Sequence, residues 1–239
     1  MNLYISDTHF GHANCINFDN RPFRDAEEMD AELIRRWNEK VTDRDDVYFV
    51  GDLAYRSAHA AIWYLAQLRG RKHLVIGNHD RQMLSDPESM RYWVSVDKLL
   101  TIEDQINGRK TKVTLCHYPL VAFPGAGLGG YHVYGHLHAS PTAWAAPYLW
   151  AQHDAFDACC TITNYAPTTL RELMECNEQH RMNHPQPAYP QEKSRSVYSE
   201  KMDLLCPRCG KFLTRTTVGN RAFTACDACG FLKGAEITF

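Results

Sequence analysis

The sequence holds no long apolar run. Its hydrophobic stretches fall far short of the ~20 residues that a membrane-spanning helix needs, so no membrane association is expected. It also lacks an excess of charge of either sign. Lys and Arg number 26 against 28 Asp and Glu, a formal net charge of −2. That balance gives no general attraction to nucleic acid or to an anionic bilayer. A disulfide framework is missing too, since nine cysteines are an odd count and no export signal accompanies them. Met1-Asn2-Leu3 carries no basic segment, and Asp7 cuts the first apolar run short. The signal-peptide pattern is therefore absent, and the cytoplasm is the expected compartment. The glycines of Pro124–Gly130 match no phosphate-cradling fingerprint. They read as a loop carrying the chain from His117 to the next strand.

What is present suits an α/β protein. The 239 residues are enough for one sizeable domain and a small module. Strands are expected at Leu3–Ser6, Asp46–Val50, His73–Ile76, Lys112–Cys116 and His132–Tyr134. Asp25–Val41 reads as a helix, with Asp25 and Glu28 in capping-box positions and Met29, Leu33, Ile34 and Trp37 on one face. Ser57–Leu68 and Thr169–Cys176 read as further helices. Val96–Ile106 and Lys112–Cys116 flank Asn107-Gly108, a hairpin signal. Pro185, Pro187 and Pro190 then fall in a polar stretch without periodicity. The chain is thus expected to divide into a domain at 1–178, a linker at 179–202 and a tail at 203–239.

Five of these strands end in a polar cluster. Asp7-Thr8-His9 follows the first, Gly51-Asp52 the second and Gly77-Asn78-His79-Asp80 the third. His117 ends the fourth, and Gly135-His136-Leu137-His138 the fifth. Sites in open α/β sheets lie outside the carboxyl ends of strands. Carboxylate, amide oxygen and imidazole are ligands for divalent metals. On an extended segment Asp7 and His9 lie on one side, as do His136 and His138, so each pair can chelate one ion. Taken singly, any of these histidines reads as a buried, hydrogen-bonded residue. The whole set exceeds the needs of one ion and reads as a two-metal site.

The ordered blocks DTH, GDLA, GNHD, CHYP and GHLH resemble the calcineurin-like metallophosphoesterase superfamily over about residues 1–178. The resemblance implies a four-layer αββα sandwich. It implies that Asp7, His9 and His138 hold one divalent metal, that Asn78, His117 and His136 hold the other, and that Asp52 bridges both. Manganese, iron or zinc would suit such ligands. It further implies attack on phosphorus by a hydroxide between the metals, with His79 protonating the leaving oxygen and Asp80 orienting the His79 ring. The expected activity is hydrolysis of phosphodiesters, or of phosphomonoesters, with a nucleotide or nucleic acid as substrate. The alternatives are a general phosphomonoesterase and a non-catalytic scaffold binding protein or nucleic acid. Protein Ser/Thr phosphatases carry Arg-Gly-Asp at the second block and Glu after the Asn-His of the third. Here Val50-Gly51-Asp52 and Asp80 stand there, which argues against protein phosphatase activity. The stretch SDTHFGHANCINFDNRPF looks more like small bacterial and phage members.

Lesser candidates surround this set. His12 reads either as a phosphate contact or as a cap on the next helix. Arg21 and Arg56 can bind phosphate through the guanidinium fork, but surface salt bridging is the favoured reading of both. Trp144, Tyr148 and Trp150 can stack a nucleobase, although packing in the core is favoured. Cys15, Cys116, Cys159, Cys160 and Cys176 read as core thiols. In the tail, Cys206, Cys209, Cys226 and Cys229 form two CxxC pairs 16 residues apart, the spacing of a structural zinc ribbon. Phe212–Val218 and Arg221–Thr224 are its expected strands, turning at Gly219-Asn220. Its basic and aromatic residues make it a candidate surface for nucleic acid or protein.

Overall fold

A computed structural model describes residues 1–185, 197–218 and 221–237. The chain divides into two units, Met1–Pro187 and Ala188–Phe239.

The first unit is built on two four-stranded sheets. One is parallel, in the order β1 (Asn2–Ile5), β2 (Asp46–Phe49), β3 (Arg71–Val75), β4 (Trp93–Asp97). The other runs β5 (Leu100–Ile106), β6 (Arg109–Leu115), β7 (Tyr131–Tyr134), β8 (Ala155–Asp157). There β5 and β6 are antiparallel, whereas β6–β7 and β7–β8 are parallel. The helices are α1 (Ala13–Phe18), α2 (Ala26–Lys40), α3 (Ala61–Leu65), α4 (Arg81–Leu84), α5 (Pro87–Met90), α6 (Ala146–Trp150) and α7 (Leu170–Asn183).

Strand alternation sorts the side chains into layers. Leu3, Ile5, Val47, Phe49 and Leu74 pack on Met29, Leu33 and Trp37 of α2 and on Tyr64 and Leu65 of α3. The intervening Tyr4, Tyr48 and Val75 face Val113, Leu115 and Val133 of the other sheet. Tyr134 and Ala155 lie in a separate cluster with Leu149 of α6. The result is the four-layer αββα sandwich. Leu170 and Leu173 of α7 enter the inter-sheet core.

Several boundaries differ from the sequence reading. Val96–Ile106 is not one strand. The chain leaves the first sheet after Asp97 and enters the second at Leu100, with no Gly or Pro to mark the crossing. α3 is short because Ser57 Oγ accepts from the His59 N–H at 3.0 Å and bonds Tyr64 Oη at 2.6 Å, which holds residues 57–60 outside the helix. α7 starts at its expected capping box, with Thr169 and Glu172 capping each other, but runs on to Asn183. The hairpin forms as expected: Ile106 pairs with Arg109, and Asn107 and Gly108 have φ of 52° and 76°, as a type I′ turn requires.

The second unit is an antiparallel sheet in the order β12 (Leu232–Ile237), β11 (Arg221–Ala225), β10 (Phe212–Val218), β9 (Val197–Leu205). The expected linker thus begins within α7 and ends within β9. Its part at 186–196, and the Gly219-Asn220 turn, lie outside the described residues. Among the described residues of this unit, Leu213 packs with Cys206 and Cys226, flanked by Cys229 and Phe231. Among the described residues no helix is long and apolar enough to cross a membrane.

Candidate metal centre

The seam between the sheets gathers the polar tips. The Ser6 N–H donates to Ala158 O at 2.8 Å, and the Cys160 N–H donates to Ser6 O at 3.0 Å. This bridge continues β1 alongside the segment after β8. It brings Asp7 against the turn that follows β7, where the His136 N–H donates to the Asp7 carboxylate at 3.1 Å. Ser6 Oγ donates to the same carboxylate at 2.5 Å.

Asp7, His9, Asp52, His136 and His138 have φ between 49° and 72°. Asp7–His9 and His136–His138 therefore do not converge through the pleat of an extended strand, as the two-residue spacing suggested. Left-handed turns aim them. Asp and His tolerate that region better than bulkier residues. Glycines make room beside them. A Cβ on Gly77 would lie 2.2 Å from Asp52 Oδ1, and one on Gly135 would lie 2.6 Å from Asp7 Oδ2. Neither position has space for a side chain.

The candidate ligands form two adjoining groups. In the first, His9 Nε2 is 3.1 Å from His138 Nε2, and His138 Nε2 is 3.7 Å from Asp7 Oδ1. In the second, Asn78 Oδ1 lies 2.9 Å from His136 Nδ1 and 3.1 Å from His117 Nε2. Asp52 stands between them, its Oδ2 3.7 Å from His9 Nε2 and 3.4 Å from His117 Nε2. Asp7, Asp52 and His117 also bring ligand atoms within 4.8 Å of one another.

The outer atoms of two rings are already committed. His117 Nδ1–H donates to Val50 O at 2.8 Å, and His138 Nδ1–H donates to the Asp19 carboxylate at 3.0 Å. Their Nε2 lone pairs then face inward, toward carboxylate and amide oxygens. Electron-rich atoms at such distances repel unless a proton or a cation lies among them. The donor set therefore fits divalent metal ions. His9 adds a buried Nδ1 that has no protein partner.

The same contacts set how these groups titrate. At His117, burial acts downward but is outweighed by the hydrogen bond to Asp52 and the charge of Asp7, and the ring titrates at about 9. His138 also reaches about 9, because the Asp19 hydrogen bond and Asp7 overcome burial. His9 is pushed down to about 3 by burial and by the neighbouring His138. At Asp52, burial acts upward, but His117 pulls the carboxyl down to about 2.

The other residues singled out in the sequence fall in different places. His79 packs its ring on Tyr55 at 4.1 Å and on His9 at 5.4 Å. Its backbone N–H donates to Asp52 Oδ1 at 2.8 Å. Among the described residues neither ring nitrogen of His79 has a hydrogen-bond partner. Asp80 does not orient that ring. Its buried carboxylate accepts the backbone N–H groups of Asp52, Leu53 and Gly77 at 2.7–3.0 Å, which ties the second and third blocks together. Adjacent side chains point apart, and Asp80 points inward.

Arg21 is not a surface residue. It is buried, and it donates to Asp7 O at 2.9 Å, to Thr8 O at 2.7 Å and to Asp19 at 2.8–3.0 Å. All these partners are inside, so its guanidinium is not a free phosphate hook. Arg56 is exposed, with φ of 50°, and its guanidinium lies over the Tyr55 ring at 5.3 Å. His12 occupies the N-cap position of α1 but makes no capping hydrogen bond. Its ring meets Tyr55 edge-on at 4.9 Å. Trp144 is 76% exposed rather than packed. Asp19 escaped the sequence reading because its only signal is its place in the FDNRPF stretch. Asp157, buried beneath the His138 turn with Oδ2 accepting the Ala139 N–H at 3.1 Å, ends a strand that was not foreseen.

In the tail, Cys206 and Cys229 bring their sulfurs to 3.6 Å, and Cys209 and Cys226 to 3.4 Å. A tetrahedron of Zn–S bonds of ~2.3 Å has edges of about 3.8 Å. Gly210 and Gly230 close the two turns at φ of 71° and 69°. The four-cysteine cluster fits a metal ion.

A family model for calcineurin-like phosphoesterases matches residues 3–158. The chain belongs to the calcineurin-like phosphoesterase family. Its relatives include the uncharacterized protein MJ1445 of Methanocaldococcus jannaschii, 34% identical over 176 residues, 73% of this chain and 89% of that one. The gene 66 protein of Mycobacterium phage L5 is 32% identical over 133 residues, 49% of this chain and 63% of its own length. Among solved structures, the protein of unknown function AQ665 from Aquifex aeolicus superposes with a TM-score of 0.52 at 23% identity. It covers 73% of this chain and 98% of its own, and it shares the fold. As a calcineurin-like phosphoesterase the chain is expected to act on phosphoesters with divalent metals, and its Asp/His cluster suits them.

Proposed function

We propose that this chain is a binuclear metal-dependent phosphoesterase that prefers phosphodiesters, with a nucleotide or nucleic acid as substrate. The observation that carries the reading is the set of inward-facing electron-rich atoms at the carboxyl ends of five strands. Asp7, His9 and His138 hold one cation, Asn78, His117 and His136 the other, and Asp52 serves both. Mixed oxygen and nitrogen ligation suits manganese, iron or zinc. Such a pair supplies Lewis-acid activation of water and neutralises charge on the phosphoryl oxygens.

The protein residues do the rest. His79 stands beside the cluster with its ring nitrogens uncommitted and donates a proton to the leaving oxygen. Tyr55 backs that ring. Arg56 and His12 lie on the same rim and meet the anionic substrate. A cavity of 260 Å³ opens from His79 between Arg56, Gln82 and Asp86. It offers room for a second ester substituent, which favours a diester over a monoester. In the tail the four cysteines hold a structural zinc, and the exposed Arg208 and Lys211 offer a surface for nucleic acid or protein. The proposed setting is the cytoplasm.

The test is hydrolysis by apo-protein reloaded with one metal at a time, on bis-p-nitrophenyl phosphate and p-nitrophenyl phosphate. Faster turnover of the diester is the expected result. Turnover of the monoester alone would make the chain a general phosphomonoesterase. No turnover of either with both cations bound would overturn the hydrolase reading in favour of a scaffold.

A further inference from the structure

The two halves of the centre are backed differently. His138 donates its Nδ1–H to a carboxylate, that of Asp19, at 3.0 Å. His117 donates its Nδ1–H to a neutral carbonyl, that of Val50, at 2.8 Å. The groups also differ in charge. Asp7 stands with His9 and His138, whereas Asn78, with His117 and His136, is a neutral amide. Exposure differs at one ligand only: Asp7, His9 and His117 are buried and His136 and His138 half-buried, but Asn78 is exposed.

Asp19 is itself held firmly. Its carboxylate takes two N–H groups of Arg21, at 2.8 and 3.0 Å. The same guanidinium donates to Asp7 O and Thr8 O, so it fixes the left-handed turn that carries Asp7 and His9. One buried pair, Asp19 and Arg21, thus sets the backbone of two candidate ligands and the ring of a third. The positive charge of Arg21 is directed to Asp19 and to two carbonyls rather than to the centre.

We infer that Asp19, through Arg21 and His138, makes the Asp7–His9–His138 group the tighter cation subsite, filled before the Asn78–His117–His136 group. The inference rests on the binuclear reading above. An outer carboxylate fixes the tautomer and raises the basicity of the imidazole it touches, and loss of such a partner typically costs roughly 10–100-fold in metal affinity. A carbonyl partner orients the ring without adding negative charge. Asp19 is a positioning residue: it reaches the centre only through another side chain.

The experiment uses the full chain with its cysteine site filled by zinc and its Asp/His centre stripped, titrated with Mn²⁺. The wild-type protein should bind two ions in separated steps. Asp19→Asn keeps an oxygen for His138 and removes the charge. It should weaken the first step by ~10–100-fold and leave the second within about threefold. A second measurement needs no variant. At one equivalent of diamagnetic ¹¹³Cd²⁺, scalar coupling to the metal should appear on the His9 and His138 ring signals before those of His117 and His136. Two bound ions with both steps equally weakened in Asp19→Asn, or with His117 coupled to the first cadmium ion, would overturn the inference alone. A wild-type centre that takes up no Mn²⁺ would overturn the binuclear reading as well.

Discussion

Replacing Asp80 by alanine separates two roles that a carboxylate beside His79 can play. If it serves the backbone, Asp80→Ala strands three buried N–H groups, those of Asp52, Leu53 and Gly77. An unsatisfied buried donor costs about 1–3 kcal/mol. Three of them, with some relaxation toward water, give roughly 3–5 kcal/mol. For a unit the size of Met1–Pro187, each kcal/mol moves the melting temperature by about 2–4 °C. The expected fall is therefore roughly 6–20 °C, read by calorimetry on zinc-filled protein without active-site metal. Asp80→Asn retains one acceptor oxygen and should fall between the two. Metal retention should drop as well, because the Asp52 backbone loses its anchor. An Asp80→Ala protein that melts within about 2 °C of wild type, yet shows a displaced pH–rate profile, would refute this account. It would return the carboxylate to the His79 ring.

The other predictions test the remaining assignments. His79→Ala should keep its metal content while turnover slows by ~10²–10⁴-fold, most of all on poor leaving groups; full activity on such a substrate would remove His79 from its role. Gly77→Ala forces a methyl group to within 2.2 Å of Asp52 Oδ1, so elemental analysis should find the Asp/His centre depleted, and a fully loaded, active variant would contradict the close approach. Chelation should expose the cysteine tail to protease while the first unit survives, because a small unit draws its folding energy from the metal. Equal resistance with and without chelator would count against a structural ion.

The sandwich was legible because each strand tip announces itself. Apolar β-branched runs end in Gly, Asp, Asn or His at five places, and local composition carries that signal. The crossing at Asp97–Leu100 was not legible. Val96 to Ile106 alternates without a breaker, and only tertiary packing decides that the two halves join different sheets. Arg21 was misread for a related reason. Its partners are the Asp19 carboxylate and the carbonyls of Asp7 and Thr8, turned inward beside the left-handed residues Asp7 and His9, and no periodicity reports a turn of that kind. Asp80 beside His79 looked like an acid–imidazole pair. The family resemblance implied that contact, but the Asp80 carboxylate is turned to the backbone N–H groups of Asp52, Leu53 and Gly77.

Five tip residues, Asp7, His9, Asp52, His136 and His138, sit in a backbone region that L-residues enter at a cost of roughly 1–2 kcal/mol each. Asp and His feel this less than most, yet the total is a sizeable share of the roughly 5–15 kcal/mol by which domains are stable. The reactive rim is therefore a sprung latch, held shut by the sandwich behind it and by whatever cations it grips. Emptying it should let those turns slacken first, with amide exchange quickening at 7–9, 51–53 and 135–139 while the strands stay protected. Durability and catalysis then draw on one reserve, and a substitution that thins the distant core should silence the rim before it melts the sheets.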